Sequence, residues 1–117
     1  MNNDILRKAK AQLKHCTVKQ ARVVAIVSNE HGRPLFAVSN RRKNNGGGKW
    51  TYHAEELAVN RIMRWYPKPK YLTMTVVRFK ADGSLGMAKP CPECYKKVGV
   101  VNHLYYTDDS GTIQTLF

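Results

Sequence analysis

His53-Ala54-Glu55, followed far downstream by Pro90-Cys91-Pro92-Glu93-Cys94, decides how this chain has to be built. The two segments supply one imidazole, two thiols and a carboxylate, and residues at i and i+3 on a first helical turn face the same way. His53, Cys91 and Cys94 are three ligands for zinc. A closed structural site takes four, so this set leaves one tetrahedral position open for water. Zinc lowers the pKa of such a water to about 7. Glu55, two residues from a ligand, is placed to take that proton and return it. The expectation is a hydrolytic active site with Zn2+ as cofactor, His53, Cys91 and Cys94 as metal ligands and Glu55 as the catalytic proton carrier.

Working outward, both segments fall at starts of helices. From Ala54 to about Trp65, the residues Ala54, Leu57, Ala58, Ile62 and Trp65 make one apolar face that Val59, Met63 and Tyr66 thicken, and Pro67 and Pro69 end the helix. Pro92 suits a first turn, and a short helix through Val98 should stop at Gly99. A helix N-terminus favours thiolate, which helps metal binding. Ahead of these, Asp4 can cap a helix of about ten residues, with Ile5, Leu6, Ala9 and Leu13 inward and Arg7, Lys8, Lys10 and Lys14 outward. Val23 to Val27 and Leu35 to Val38 read as strands joined through the turn formers of 28–34. Asn40 to Lys49, with Asn44-Asn45-Gly46-Gly47-Gly48, reads as a mobile basic loop. Tyr71 to Phe79, His103 to Thr107 and Thr112 to Phe117 complete the strands, the last two joined by the turn Asp108-Asp109-Ser110-Gly111.

This element order and the paired H-x-E and P-C-x-x-C motifs resemble the cytidine deaminase-like superfamily. The resemblance implies an α/β fold: a three-layer α/β/α sandwich around a mixed five-stranded sheet, spanning residues 1–117 as one domain. It carries the zinc-ligand roles to His53, Cys91 and Cys94 and the proton shuttle to Glu55. It also matches Asn40, at the end of the second strand, to a position from which relatives hydrogen-bond the base. Trp50 and Tyr52 are either packing beside the site or rings that stack on a base or flanking nucleotide. With Ala54 they complete the substrate-binding set next to the ligands. A thiol redox pair or a closed zinc knuckle are the other uses of a C-x-x-C, but the first ignores His53 and Glu55, and the second needs another tight ligand pair that the sequence lacks.

Composition narrows the partners. Against 8 Asp+Glu there are 20 Lys+Arg, a formal charge of +12 and a positive potential over much of so small a surface. Such a charge suits single-stranded nucleic acid or an anionic nucleotide. Arg41, Arg42, Lys43 and Lys49 flank the motif and are expected to bind substrate phosphates. A length of 117 residues leads to the expectation of one core, with no second domain to hold a substrate. No run approaches the roughly 18 apolar residues of a membrane span, and Met1-Asn2-Asn3-Asp4 lacks the pattern of a secretory signal. Three cysteines make a disulfide framework improbable. The expectation is a cytoplasmic or otherwise intracellular protein, whose association with copies of itself the sequence leaves open.

Histidine as first ligand resembles polynucleotide and nucleotide deaminases, whereas many free-cytidine enzymes carry cysteine there. The tight Asp108–Gly111 turn implies an antiparallel final pair, as in the free-cytidine, antibiotic-inactivating and some toxin or organellar RNA-editing branches. The adenosine-on-transfer-RNA and vertebrate DNA-mutating branches place a helix there, for which no residues remain. The resemblance thus favours cytosine over adenine, in single-stranded DNA or RNA first, with free cytidine, deoxycytidine or (d)CMP as the alternative. A zinc-stabilised nucleic-acid binding module is the non-enzymatic alternative, and it would have no use for Glu55.

Overall fold

A computed structural model describes residues 3–13, 22–42, 51–66, 71–90, 96 and 98–117. The β-branched run Val23-Val24-Ala25-Ile26-Val27 lies in a central strand, β1 (Arg22–Ser28). Its side chains alternate between two cores. Val24 and Ile26 pack with Ile5 and Ala9, while Ala25 and Val27 pack with Ala54, Ala58 and Ile62. A strand buried on both faces reads as continuously apolar, and helices must then cover both. Helix α1 (Asn3–Gln12) covers one face with Ile5 and Ala9 inward and Arg7, Lys8 and Lys10 exposed. Helix α2 (Ala54–Trp65) covers the other.

On one side β1 pairs antiparallel with β2 (Pro34–Ser39), and on the other with β5 (Thr73–Phe79). β5 pairs parallel with β7 (His103–Thr107), which pairs antiparallel with β8 (Ile113–Thr115). The order β2-β1-β5-β7-β8 is the expected mixed five-stranded sheet with an antiparallel final pair. The short strand β6 (Leu85–Gly86), pairing with β5, adds a sixth that the sequence did not suggest. The β7–β8 turn is set by Asp108. Its Oδ1 accepts from the backbone N–H groups of Ser110 (3.0 Å) and Thr112 (2.9 Å), and Gly111 takes the left-handed backbone (φ 82°) that closes it. Hydrogen bonds from the Ser110 hydroxyl, the Gln114 amide and the Thr112 N–H hold the Asp108 carboxyl down at about 2.

Three local expectations are corrected. Arg41–Arg42 is not irregular loop but a two-residue strand, β3, paired antiparallel with β4 (Thr51–Tyr52); residues 43–50 lie outside the described residues. Met63 and Trp65, expected to face the core, are 63% and 55% exposed. Helix α2 turns the stripe Ala54, Glu55, Ala58, Val59 and Ile62 to the sheet, and 63 and 65 fall off it. The segment expected to end as a helix at Gly99 ends as a 3-10 turn over Val98–Val100, with Val98 buried against α2's side of the sheet.

Candidate active site

The chain leaves β2 at Ser39 and re-enters regular structure at α2, and the small β3–β4 ladder ties the two together. Arg41 stands opposite Tyr52 and Arg42 opposite Thr51. The ladder thus pairs the residues that follow Asn40 with those that precede His53, the positions expected for base contact and metal ligation. Lys43, Lys49 and Trp50 lie outside the described residues.

His53 is the N-cap of α2, in extended conformation (φ −72°, ψ 144°). The cap bond is made by its backbone: the carbonyl accepts from Leu57 N–H at 3.1 Å, and the imidazole makes no side-chain cap bond. The residue itself is exposed. Ala54 follows, fully buried, and no larger side chain would fit between the helix start and the sheet without displacing its neighbours. Glu55 is buried at 5% exposure in the first helical turn, on the same stripe as Ala58 and Ile62. Carboxylates at a helix N-terminus are favoured by the helix dipole.

Asn40 is buried, and its place is fixed by a double link to β1. Its backbone N–H donates to the Val23 carbonyl and its Oδ1 accepts from Val23 N–H, both at 3.0 Å. The amide orientation is therefore set by the sheet, with Nδ2 on the other side of the group from Val23.

Cys91 and Cys94 lie outside the described residues, but the approach to them does not. After β6 the chain passes Met87, Ala88 and a buried Pro90. Thr107, at the end of β7 and fully buried, anchors this strap. Its Oγ1 donates to the Gly86 carbonyl (2.6 Å) and accepts from Arg78 N–H (3.2 Å), while its own carbonyl accepts from Ala88 N–H (2.8 Å). Met87 N–H donates to Asp109 Oδ1 at 3.2 Å. Sequence reading missed Thr107, because a threonine at a strand end carries no signal beyond β propensity.

Among the described residues no three His, Cys, Asp or Glu side chains converge on a metal. The two thiols expected to complete a metal site with His53 lie outside the described residues. One imidazole with two thiolates is a donor set that zinc favours, so the residues fit the ion. A separate cleft of about 410 Å3, lined by Ser28, Tyr71, His103 and Tyr105, lies at the opposite end of β1 and includes none of the expected site residues.

The model of the cytidine and deoxycytidylate deaminase zinc-binding region matches residues 1–102. The chain belongs to the cytidine and deoxycytidylate deaminase family. As a member of this deaminase family it carries the family's zinc-binding region, and zinc is its cofactor. Its fold is that of a cytidine deaminase from Mycobacterium leprae, with a TM-score of 0.62 at 16% identity over 97% of this chain and 94% of that one. None of the curated proteins matches it in sequence. No described helix of this family member is long and apolar enough to cross a membrane.

Proposed function

We propose that the chain hydrolyses the exocyclic amine of cytosine, giving uracil and ammonia, and that its substrate is cytosine in single-stranded DNA or RNA. The observation that carries the chemistry is the buried carboxylate of Glu55 two residues after His53. Burying a carboxylate costs free energy that an apolar residue at the same helical position would not. A proton carrier at this place is a use for which a carboxylate, and not an apolar residue, is required.

In this reading His53, Cys91 and Cys94 would hold the zinc ion. Zinc there supplies Lewis-acid activation of water at neutral pH. Glu55 takes the proton released as water adds to C4 and delivers it to N3. It then carries a second proton to the amine, the C4–N4 bond breaks, and ammonia leaves as the C4 carbonyl forms. Such a shuttle needs one carboxylate held within reach of both water and base, which the first turn of α2 provides by fixing Glu55 against the sheet. Asn40, pinned through Val23, is the residue from which the base would be contacted.

The polynucleotide substrate is supported by the +12 charge and by arginines at 41 and 42 in the ladder beside His53. A base inside a duplex is out of reach of such a site, so a single strand is the form required. The antiparallel β7–β8 pair resembles the free-cytidine branch and favours a second reading, a nucleoside or nucleotide substrate. Deamination of cytosine measured side by side as cytidine, as dCMP and within single-stranded DNA and RNA oligonucleotides tests the proposal. It expects the oligonucleotides to be preferred, and preference for the small substrates overturns it.

A further inference from the structure

Strand β2 is the last strand on its side of the sheet, and helix α2 runs beside it. Between them lies a groove of about 390 Å3 whose lining is mostly polar. One wall is Val38 and Ser39 of β2. The other is the α2 stripe Leu57, Asn60, Arg61, Arg64 and Trp65, whose spacing places these residues along one face of the helix. At 1.5 Å per residue, Leu57 to Trp65 spans about 12 Å. Its near end lies one residue from Asn40, at Ser39, and one helical turn from His53, at Leu57.

Its chemistry is specific. The Arg61 guanidinium lies over two rings, 4.9 Å from the Trp65 centroid and 5.3 Å from that of Phe36. Phe36 meets Trp65 edge-on at 5.7 Å. These contacts hold the indole in place while leaving it 55% exposed. Arg64 is exposed one turn on. Among the described residues the ion pairs are Arg7–Asp4 and His31–Glu30, and neither Arg61 nor Arg64 pairs with a carboxylate. An ordered, exposed indole next to two cations without a carboxylate partner matches what a single strand presents: a base face to stack and phosphates to neutralise.

We propose that this groove guides the flanking single strand of a polynucleotide away from the active site, with Arg61 and Arg64 on phosphates and Trp65 stacked on a base. The inference rests on the polynucleotide reading above and adds to it the path of the strand. A small free nucleoside would not reach Trp65.

Binding of fluorescent single-stranded DNA and RNA oligonucleotides to the zinc-loaded protein, measured across a salt series, tests it. Each phosphate contact on a single strand contributes about 0.7 to the slope of log affinity against log salt. Arg61→Gln/Arg64→Gln is expected to flatten the slope by about 1.4, and Arg64→Gln alone, which disturbs no ring contact, by about 0.7. Trp65→Leu is expected to weaken binding roughly tenfold with the slope unchanged, because stacking is not screened by salt. Thermal melting confirms that each variant is folded, and the exposed Arg64 change serves if the double variant is not. A steep parental slope that survives in Arg64→Gln overturns the groove but leaves the substrate reading standing. A parent with no salt-dependent binding to either oligonucleotide overturns both. If the variants instead alter the size of the protein in solution and not its binding, the face is a contact between copies of the chain and the proposal falls.

Discussion

Replacing Thr107 by valine keeps the shape of a fully buried side chain and removes one oxygen. That oxygen serves two partners, donating to the Gly86 carbonyl at 2.6 Å and accepting from the Arg78 N–H at 3.2 Å. A buried group left without its partner costs about 1–3 kcal/mol. The Gly86 bond is buried and the Arg78 bond partly so, giving a combined loss of about 2–4 kcal/mol for Thr107→Val. With an unfolding entropy of roughly 2.1 cal/mol/K per residue, that lowers the melting temperature of a domain this size by about 8–16 °C. Thr107→Ser keeps the hydroxyl and should lose only about 1 kcal/mol for the missing methyl. Because the anchored strap leads directly to Cys91, zinc affinity should fall in the valine variant and recover in the serine one. Differential scanning calorimetry and a zinc competition titration read both quantities. A valine variant melting within a few degrees of the parent refutes the hydrogen-bond accounting. One that melts low but binds zinc normally refutes the claim that the strap positions the thiols.

Asn40→Ala should cost about 1–2 kcal/mol in thermal melts by removing the acceptor of Val23 N–H. Asp108 is held below the ordinary carboxylate range by its turn partners, so its contribution to the β7–β8 turn is complete above the unfolded value, near 4, and is lost as the pH falls through about 2. A carboxyl-resolved NMR titration should show that midpoint, and Asp108→Asn should make the turn's stability insensitive to pH over the same range. Gly111→Ala, forced to a φ of 82°, should destabilise by about 1 kcal/mol in denaturant unfolding.

Much of this arrangement was legible because its determinants are local and chemical. The run Val23–Val27 is β-favouring and too short for a helix, and it read as the strand that the structure shows. The layers on both of its faces, implied by the resemblance, are the cores around Ile5 and Ala54. His53 and Glu55 were recognisable by residue type, and the start of α2 at Ala54 by helical periodicity. What the pattern did not give depends on long-range geometry. The two-residue β3–β4 ladder is too short to carry a periodicity, yet it ties the segment after Asn40 to the one before His53. Trp65 continues the apolar spacing of α2 but has the sheet edge beside it, so its ring meets the core at Phe36, lies under Arg61 and stays largely exposed. Thr107 anchors a strap from a distant segment through one hydroxyl, which no sequence window contains.

The central claim is that the buried carboxylate beside His53 moves the protons of a zinc-dependent hydrolysis, and Glu55→Gln addresses it most directly. The substitution keeps the volume in α2's first turn and removes the base. Zinc content by elemental analysis and ammonia release from the preferred cytosine substrate, measured on the same preparations, give the answer. The account predicts equal zinc in parent and variant and a turnover lower by a factor of about 100 to 10,000. A zinc-replete Glu55→Gln protein that deaminates at close to the parental rate would contradict it.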